Sequence, residues 1–203
     1  YKGGARISAI AFGIGQYGYV GTGYNGNYQK DFYRFDPQAA AGQQWEIVNG
    51  FGGQKRQGGT SFVIDDKAYI CCGVNNGSYV YDFWCFDPST GVFTQLRDIA
   101  DTSDDDYDDD YTSIVRANAV SFVIDGKGYL VTGEYGSLLS NYWIYDPATD
   151  LWEGEDLTAF EGSVRKNAVA FSTGTRGFVV TGQASSSYYD DTWELSPYEY
   201  EEE

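Results

Sequence analysis

Residues 116–133 read RANAVSFVIDGKGYLVTG, and three other stretches of the chain share that pattern. Residues 6–23 read RISAIAFGIGQYGYVGTG, residues 56–73 RQGGTSFVIDDKAYICCG and residues 165–182 RKNAVAFSTGTRGFVVTG. The opening arginines Arg6, Arg56, Arg116 and Arg165 are 50, 60 and 49 residues apart. The closing glycines Gly23, Gly73, Gly133 and Gly182 keep the same intervals. A second block follows each glycine: DFYRFDP at 31–37, DFWCFDP at 82–88, NYWIYDP at 141–147 and DTWELSP at 191–197. Self-similarity with a period of about 50 residues marks a repeat architecture.

Each repeat predicts four short strands. The first spans 8–14 and its equivalents, a tight turn such as Asp125-Gly126 follows, and the second ends at the closing glycine. A polar loop of about eight residues leads to the third, which Asp-Pro terminates. The fourth begins near Trp45, Phe93 and Trp152. No segment has helical periodicity over ten residues. On the first strand, small residues (Ala9, Ala11; Gly59, Ser61; Ala119, Ser121; Ala168, Ala170) alternate with a face carrying Phe12, Phe62, Phe122 and Phe171. Both faces lack charge, so both are expected to be covered. Four-stranded sheets packed face to face and repeated radially make a β-propeller.

The arrangement of Arg, apolar strand, Tyr-apolar-apolar-x-Gly, aromatic-x-aromatic-Asp-Pro and Trp resembles the kelch repeat. The resemblance runs over essentially the whole chain and is closest to bacterial secreted or surface-lipoprotein kelch proteins, of the galactose-oxidase-like propeller type. It implies an all-β kelch propeller of four four-stranded blades, near 6–53, 56–100, 116–162 and 165–203. An acidic insertion interrupts the series at 101–111. Ser196-Pro197 replaces Asp-Pro in the last repeat, and Tyr198 to Glu203 stand where the other repeats have their fourth strand. Three readings of the ring remain open: four blades of a larger six- or seven-bladed propeller, a closed four-bladed ring, or a ring completed or extended by another chain.

Composition narrows the function. Thirteen basic against thirty acidic residues give a net charge of −17, which argues against a phosphate-tracking nucleic-acid binder. No apolar run reaches the roughly 18 residues of a membrane helix. There is no His, so neither a His-based triad nor a His-ligated metal can form. That includes the copper site of galactose oxidases, which the resemblance would otherwise suggest. Cys71, Cys72 and Cys85 fit no zinc or redox spacing and read as strand filler. No cofactor is expected.

Resemblance places the second-to-third-strand loops and the loops between blades on one face. Four arginines near the channel, Arg6, Arg56, Arg116 and Arg165, have the chemistry to hold carboxylates, as in kelch-type sialic-acid isomerases. The alternative is that each arginine binds loop carbonyls or a carboxylate in the next blade and locks the blades together. The loops between second and third strands carry Tyr24, Tyr28, Tyr79, Tyr81, Tyr135, Tyr188 and Tyr189 among Asn, Ser and Gly, a mixture suited to recognition. The insertion DTSDDDYDDDY is expected to be solvated and mobile. Asp104, Asp106, Asp108 and Asp110 are its calcium candidates, although the glycine of a calcium loop is missing. No catalytic residue stands out. The expectation is a non-catalytic module binding a glycan or a protein. A sugar-acid isomerase or mutarotase and a structural domain of a surface protein are the alternatives. The resemblance also implies a periplasmic or cell-surface location.

Overall fold

The computed structural model describes residues 1–154 and 157–197. Blade 1 is a meander of β1 (Ile10–Ile14), β2 (Tyr17–Gly21), β3 (Phe32–Phe35) and β4 (Trp45–Val48). Blade 2 comprises β5 (Thr60–Ile64), β6 (Lys67–Cys71), β9 (Trp84–Asp87) and β10 (Val92–Gln95), with the small hairpin β7 (Val74–Asn75) and β8 (Ser78–Tyr79) between β6 and β9. Blade 3 comprises β11 (Val120–Ile124), β12 (Lys127–Val131), β15 (Tyr142–Asp146) and β16 (Leu151–Glu153), with the hairpin β13 (Glu134–Tyr135) and β14 (Ser137–Leu138). Blade 4 comprises β17 (Val169–Ser172), β18 (Gly177–Val180) and β21 (Thr192–Leu195), with the hairpin β19 (Gln183–Ala184) and β20 (Ser187–Tyr188). Every neighbouring pair within a blade is antiparallel.

Three of the polar loops between second and third strands are therefore small hairpins. Asn76-Gly77 turns the first of them with positive φ at both residues, the geometry of a two-residue hairpin turn. Residues 198–203, where the repeat pattern would put an outer strand of blade 4, lie outside the described residues. No helix of the described chain is long and apolar enough to cross a membrane.

The first strands β1, β5, β11 and β17 lie side by side around the axis. Their small residues line a common lumen. On the opposite face, each phenylalanine stacks on the aromatic directly across in the second strand, as in Phe62–Tyr69 at 5.3 Å and Phe122–Tyr129 at 5.8 Å. At the seams between described blades the ring then enters the next blade over a residue too small to block it, as Phe62 and Phe122 do. A methyl group on Gly128 would lie 2.3 Å from the Phe62 ring, and one on Gly177 would lie 2.1 Å from Phe122. Three aromatic-rich core clusters follow from this stacking, one between each successive pair of blades.

Backbone hydrogen bonds reinforce the seams. The N–H groups of Gly58, Asn118 and Asn167 donate to Ser8 O, Gly58 O and Asn118 O at 2.9, 2.7 and 3.0 Å. Gly23, Gly73 and Gly133 donate to the carbonyls of Arg56, Arg116 and Arg165 in the following blade. These closing glycines need both a left-handed backbone and close approach. Gly73 has φ 100°, and a Cβ there would lie 2.7 Å from Gln57 O.

Candidate functional site

The four arginines form a lock inside each blade, not the expected lock between blades, because each guanidinium turns back onto the start of the third strand of its own repeat. The guanidinium of Arg165 donates to Thr181 O at 2.8 Å, to Ser163 O at 2.9 Å and to both oxygens of Asp191 at 2.5 and 2.9 Å. Arg56 donates to Gln54 O, Cys72 O, Asp82 O and Asp82 Oδ1. Arg6 donates to Gly3 O, Thr22 O and the Asp31 carboxylate. In blade 3 the carboxylate is replaced by Asn141, and Arg116 donates to Asn141 and to the carbonyls of Ser113, Ile114 and Thr132. Burial without a carboxylate partner lowers the Arg116 guanidinium to about 10. Arg56, Arg116 and Arg165 have no exposed surface. The channel mouth is lined instead by Ser8, Ala9, Gly58, Gly59, Asn118, Ala119, Asn167 and Ala168. The partners sit at +25, +26, +25 and +26 from their arginines, a spacing present in the sequence but easily read as turn capping.

The tyrosines separate into groups. Tyr79, Tyr81 and Tyr135 come together between the second-to-third-strand loops of blades 2 and 3, with Tyr111 of the insertion as a fourth wall. They line a cleft of about 390 Å³. Tyr79 and Tyr135 have ring centroids 4.6 Å apart, and the Tyr79 hydroxyl accepts the Gly136 N–H at 2.9 Å. That bond links the two loops and fixes one wall of the cleft. Tyr81 and Tyr135 stay 41% and 50% exposed. Tyr24 and Tyr28 pack edge to face at 5.1 Å beside a smaller hollow with Lys55, Asn75 and Asn76. Tyr188 stands alone at 81% exposure, and Tyr189 lies under the Arg165 guanidinium at 4.4 Å.

The acidic insertion keeps most of its aspartates exposed, as expected, but is anchored at two points. It contains a short 3-10 turn, Asp106–Asp108. Asp108 is wholly buried and accepts the N–H groups of Thr102 and Ser103 and the Ser103 hydroxyl. Arg97 lies 4.4 Å from the Tyr107 ring, and the Tyr111 hydroxyl accepts the Trp152 N–H. Of the four calcium candidates only Asp108 joins an acidic group, with Asp101 and Asp109; Asp104, Asp106 and Asp110 are elsewhere. All three cysteines are free.

These features define a class, a β-propeller whose blades are locked by a buried arginine and whose loop face carries tyrosine clefts. Residues 55–98 match the family model described as Kelch motif. A solved structure titled "Structure of YjhT" superposes with a TM-score of 0.71 at 18% identity, over 96% of this chain and 66% of that one. The chain thus spans just under two thirds of that structure's length. No curated protein matches the chain. The fold is that of a β-propeller, and its second blade carries the match to the Kelch motif.

Proposed function

We propose that this chain is a non-catalytic binding module that recognises a glycan or a protein on its tyrosine-bearing loop face. The observation that carries the reading is the cleft between blades 2 and 3. Exposed phenol rings with adaptable polar neighbours supply contact area at low entropic cost. Two rings sit against each other before any ligand arrives, so little ordering remains to be done on binding. Asn, Ser and Gly on the same hairpins leave backbone groups accessible for hydrogen bonds. The sugar-acid isomerase alternative would need free guanidinium groups at the channel mouth, and these four are engaged within their blades. An extracytoplasmic location belongs to the same proposal and is checked by cell fractionation.

A glycan array followed by a partner pull-down tests the reading, each repeated with Tyr79→Ala and Tyr135→Ala. The expected result is a ligand whose signal drops at least about tenfold in either variant, since truncating a central aromatic anchor commonly costs that much. A ligand retained unchanged by both variants would move the site elsewhere. A folded chain that captures nothing in either assay would favour a structural role.

A further inference from the structure

The tyrosine cleft between blades 2 and 3 and the acidic insertion 101–111 meet along one edge. Ala100 and Thr112, the residues on either side of the insertion, line the cleft together with Tyr79, Tyr81, Tyr111 and Tyr135. No residue lining the cleft carries a charge. The edge beside it is acidic. Six of the seven aspartates between 101 and 110 are exposed: Asp101, Asp104, Asp105, Asp106, Asp109 and Asp110. The carboxylate of none of these six has an ion-pair or hydrogen-bond partner among the described residues. Asp101 directly follows Ala100, and its carboxylate lies within 4.8 Å of those of Asp108 and Asp109.

The rings and the carboxylates select a ligand between them. The faces of tyrosine rings attract cations, most often a guanidinium. The chain uses this contact within itself: Arg34 lies over Tyr17 at 4.3 Å, Arg97 over Tyr107 at 4.4 Å and Arg165 over Tyr189 at 4.4 Å. In the cleft, Tyr81 and Tyr135 are 41% and 50% exposed, so ring surface is open to a ligand. Unpaired carboxylates beside the rings favour a positive charge, and a guanidinium can hold a carboxylate with two parallel hydrogen bonds. An acidic glycan would be repelled by that edge. A neutral glycan would use the rings and leave the charge of the insertion uncompensated. A basic stretch of protein uses both, with an arginine on the rings and flanking positive charges over the insertion.

We infer that the tyrosine cleft receives an arginine from a basic segment of a partner protein, and that the acidic insertion is the surface over which the rest of that segment lies. The inference rests on the reading of this cleft as the binding site, and chooses the protein over the glycan. It also gives the insertion, which only one blade connection carries, a use that the repeat does not require: Tyr111 adds a wall and the aspartates add the charge.

The test applies the full chain to a random peptide array and to a glycan array at about 150 mM salt, where exposed charges more than about 8 Å apart are largely screened. Peptides enriched in arginine, with a second basic residue close by, are expected to be retained. Tyr135→Ala should weaken the best of them about tenfold. Fluorescence anisotropy with that peptide then grades the contacts. Replacing its arginine by lysine should cost about fivefold. Asp101→Asn combined with Asp109→Asn should cost about threefold, less as salt rises. Tyr188→Ala, on the blade 4 hairpin, should change nothing. Tyr135, Asp101 and Asp109 are all exposed, so these variants leave the core untouched. Arginine peptides that bind Tyr135→Ala equally well would show bulk attraction to a chain of net charge −17 and overturn the inference. Affinity indifferent to the aspartate pair at low salt would overturn it too. Binding of a glycan, or of neutral or acidic peptides, that depends on Tyr135 would keep the cleft as the binding site and remove its basic partner. Capture of nothing by the folded chain on either array would overturn the inference together with the reading beneath it.

Discussion

The seam between blades 3 and 4 and the outward face of blade 4 are built from equivalent residues in opposite surroundings. At the seam, Phe122 is 4% exposed and Val120 7%. On the outward face, their equivalents Phe171 and Val169 are 50% and 61% exposed. Phe171 keeps its in-blade stack on Phe178 at 5.0 Å, so its conformation is the repeat's own. What it lacks is the next blade. Blade 1 offers the matching vacancy: Gly18 stands where Ala68, Gly128 and Gly177 receive their phenylalanines, and its nearest neighbour is Phe35 at 3.9 Å. The comparison separates what a blade does alone from what stacking adds. Strand pairing and the cross-strand aromatic stack belong to the blade, whereas burial of the phenylalanine face belongs to the pair.

Substitutions at equivalent positions sharpen that comparison. The largest effect is expected from Phe122→Ala, about 3–5 kcal/mol by chemical denaturation, as for large-to-small changes in a packed core. Phe171→Ala should stay within about 1 kcal/mol. Equal costs would mean that blade 4 is covered in solution. Overpacking gives the next largest contrast. Gly128→Val drives a branched side chain into the Phe62 ring and should cost about 2–3 kcal/mol. The same change at the open Gly18 should cost under about 1 kcal/mol, most of it absorbed by Phe35.

A smaller effect separates the arginine locks. Hydrogen bonding to Arg165, against opposing burial, holds the Asp191 carboxyl at about 2. A carboxyl lowered on folding contributes stability above its unfolded value near 4, and loses it as pH falls through the folded value. Asp191→Asn should therefore flatten the acid limb of a stability–pH profile between about pH 4 and 2. Asn141→Asp, which restores the carboxylate opposite Arg116, should add an acid-sensitive component that the native Arg116 lock lacks. The smallest effect is expected from reductant. With all cysteines free, dithiothreitol should shift Tm by less than about 1 °C.

The blade plan was legible because it is written four times: an arginine, an alternating strand and a glycine recur at fixed intervals that no single local choice would preserve. A structural role for the arginines was one of the two readings, but that each locks its own blade rather than the next was not legible, because spacing alone does not say which way a guanidinium points. The Asp at +25 or +26 is uninformative until the third strand is folded back beside the first. The insertion was legible in part. Its composition speaks for solvation, yet one aspartate of the series, Asp108, turns inward and accepts three local donors, which outweighs the average of its neighbours. The tyrosine cleft was half legible. The tyrosines were identifiable as loop residues, but the meeting of Tyr79 with Tyr135 depends on how two blades sit side by side.

Hydroxyl-radical footprinting with residue-level mass spectrometry tests the central claim most directly: the blades bury what their stacking needs, and leave the loop tyrosines and the blade 4 face to solvent. The account predicts rapid oxidation of Tyr188, Tyr135, Tyr81 and Phe171, and protection of Phe122, Phe83 and Tyr142. Protection of Phe171 together with Tyr135, or oxidation of Phe122 at the rate of Phe171, would contradict it.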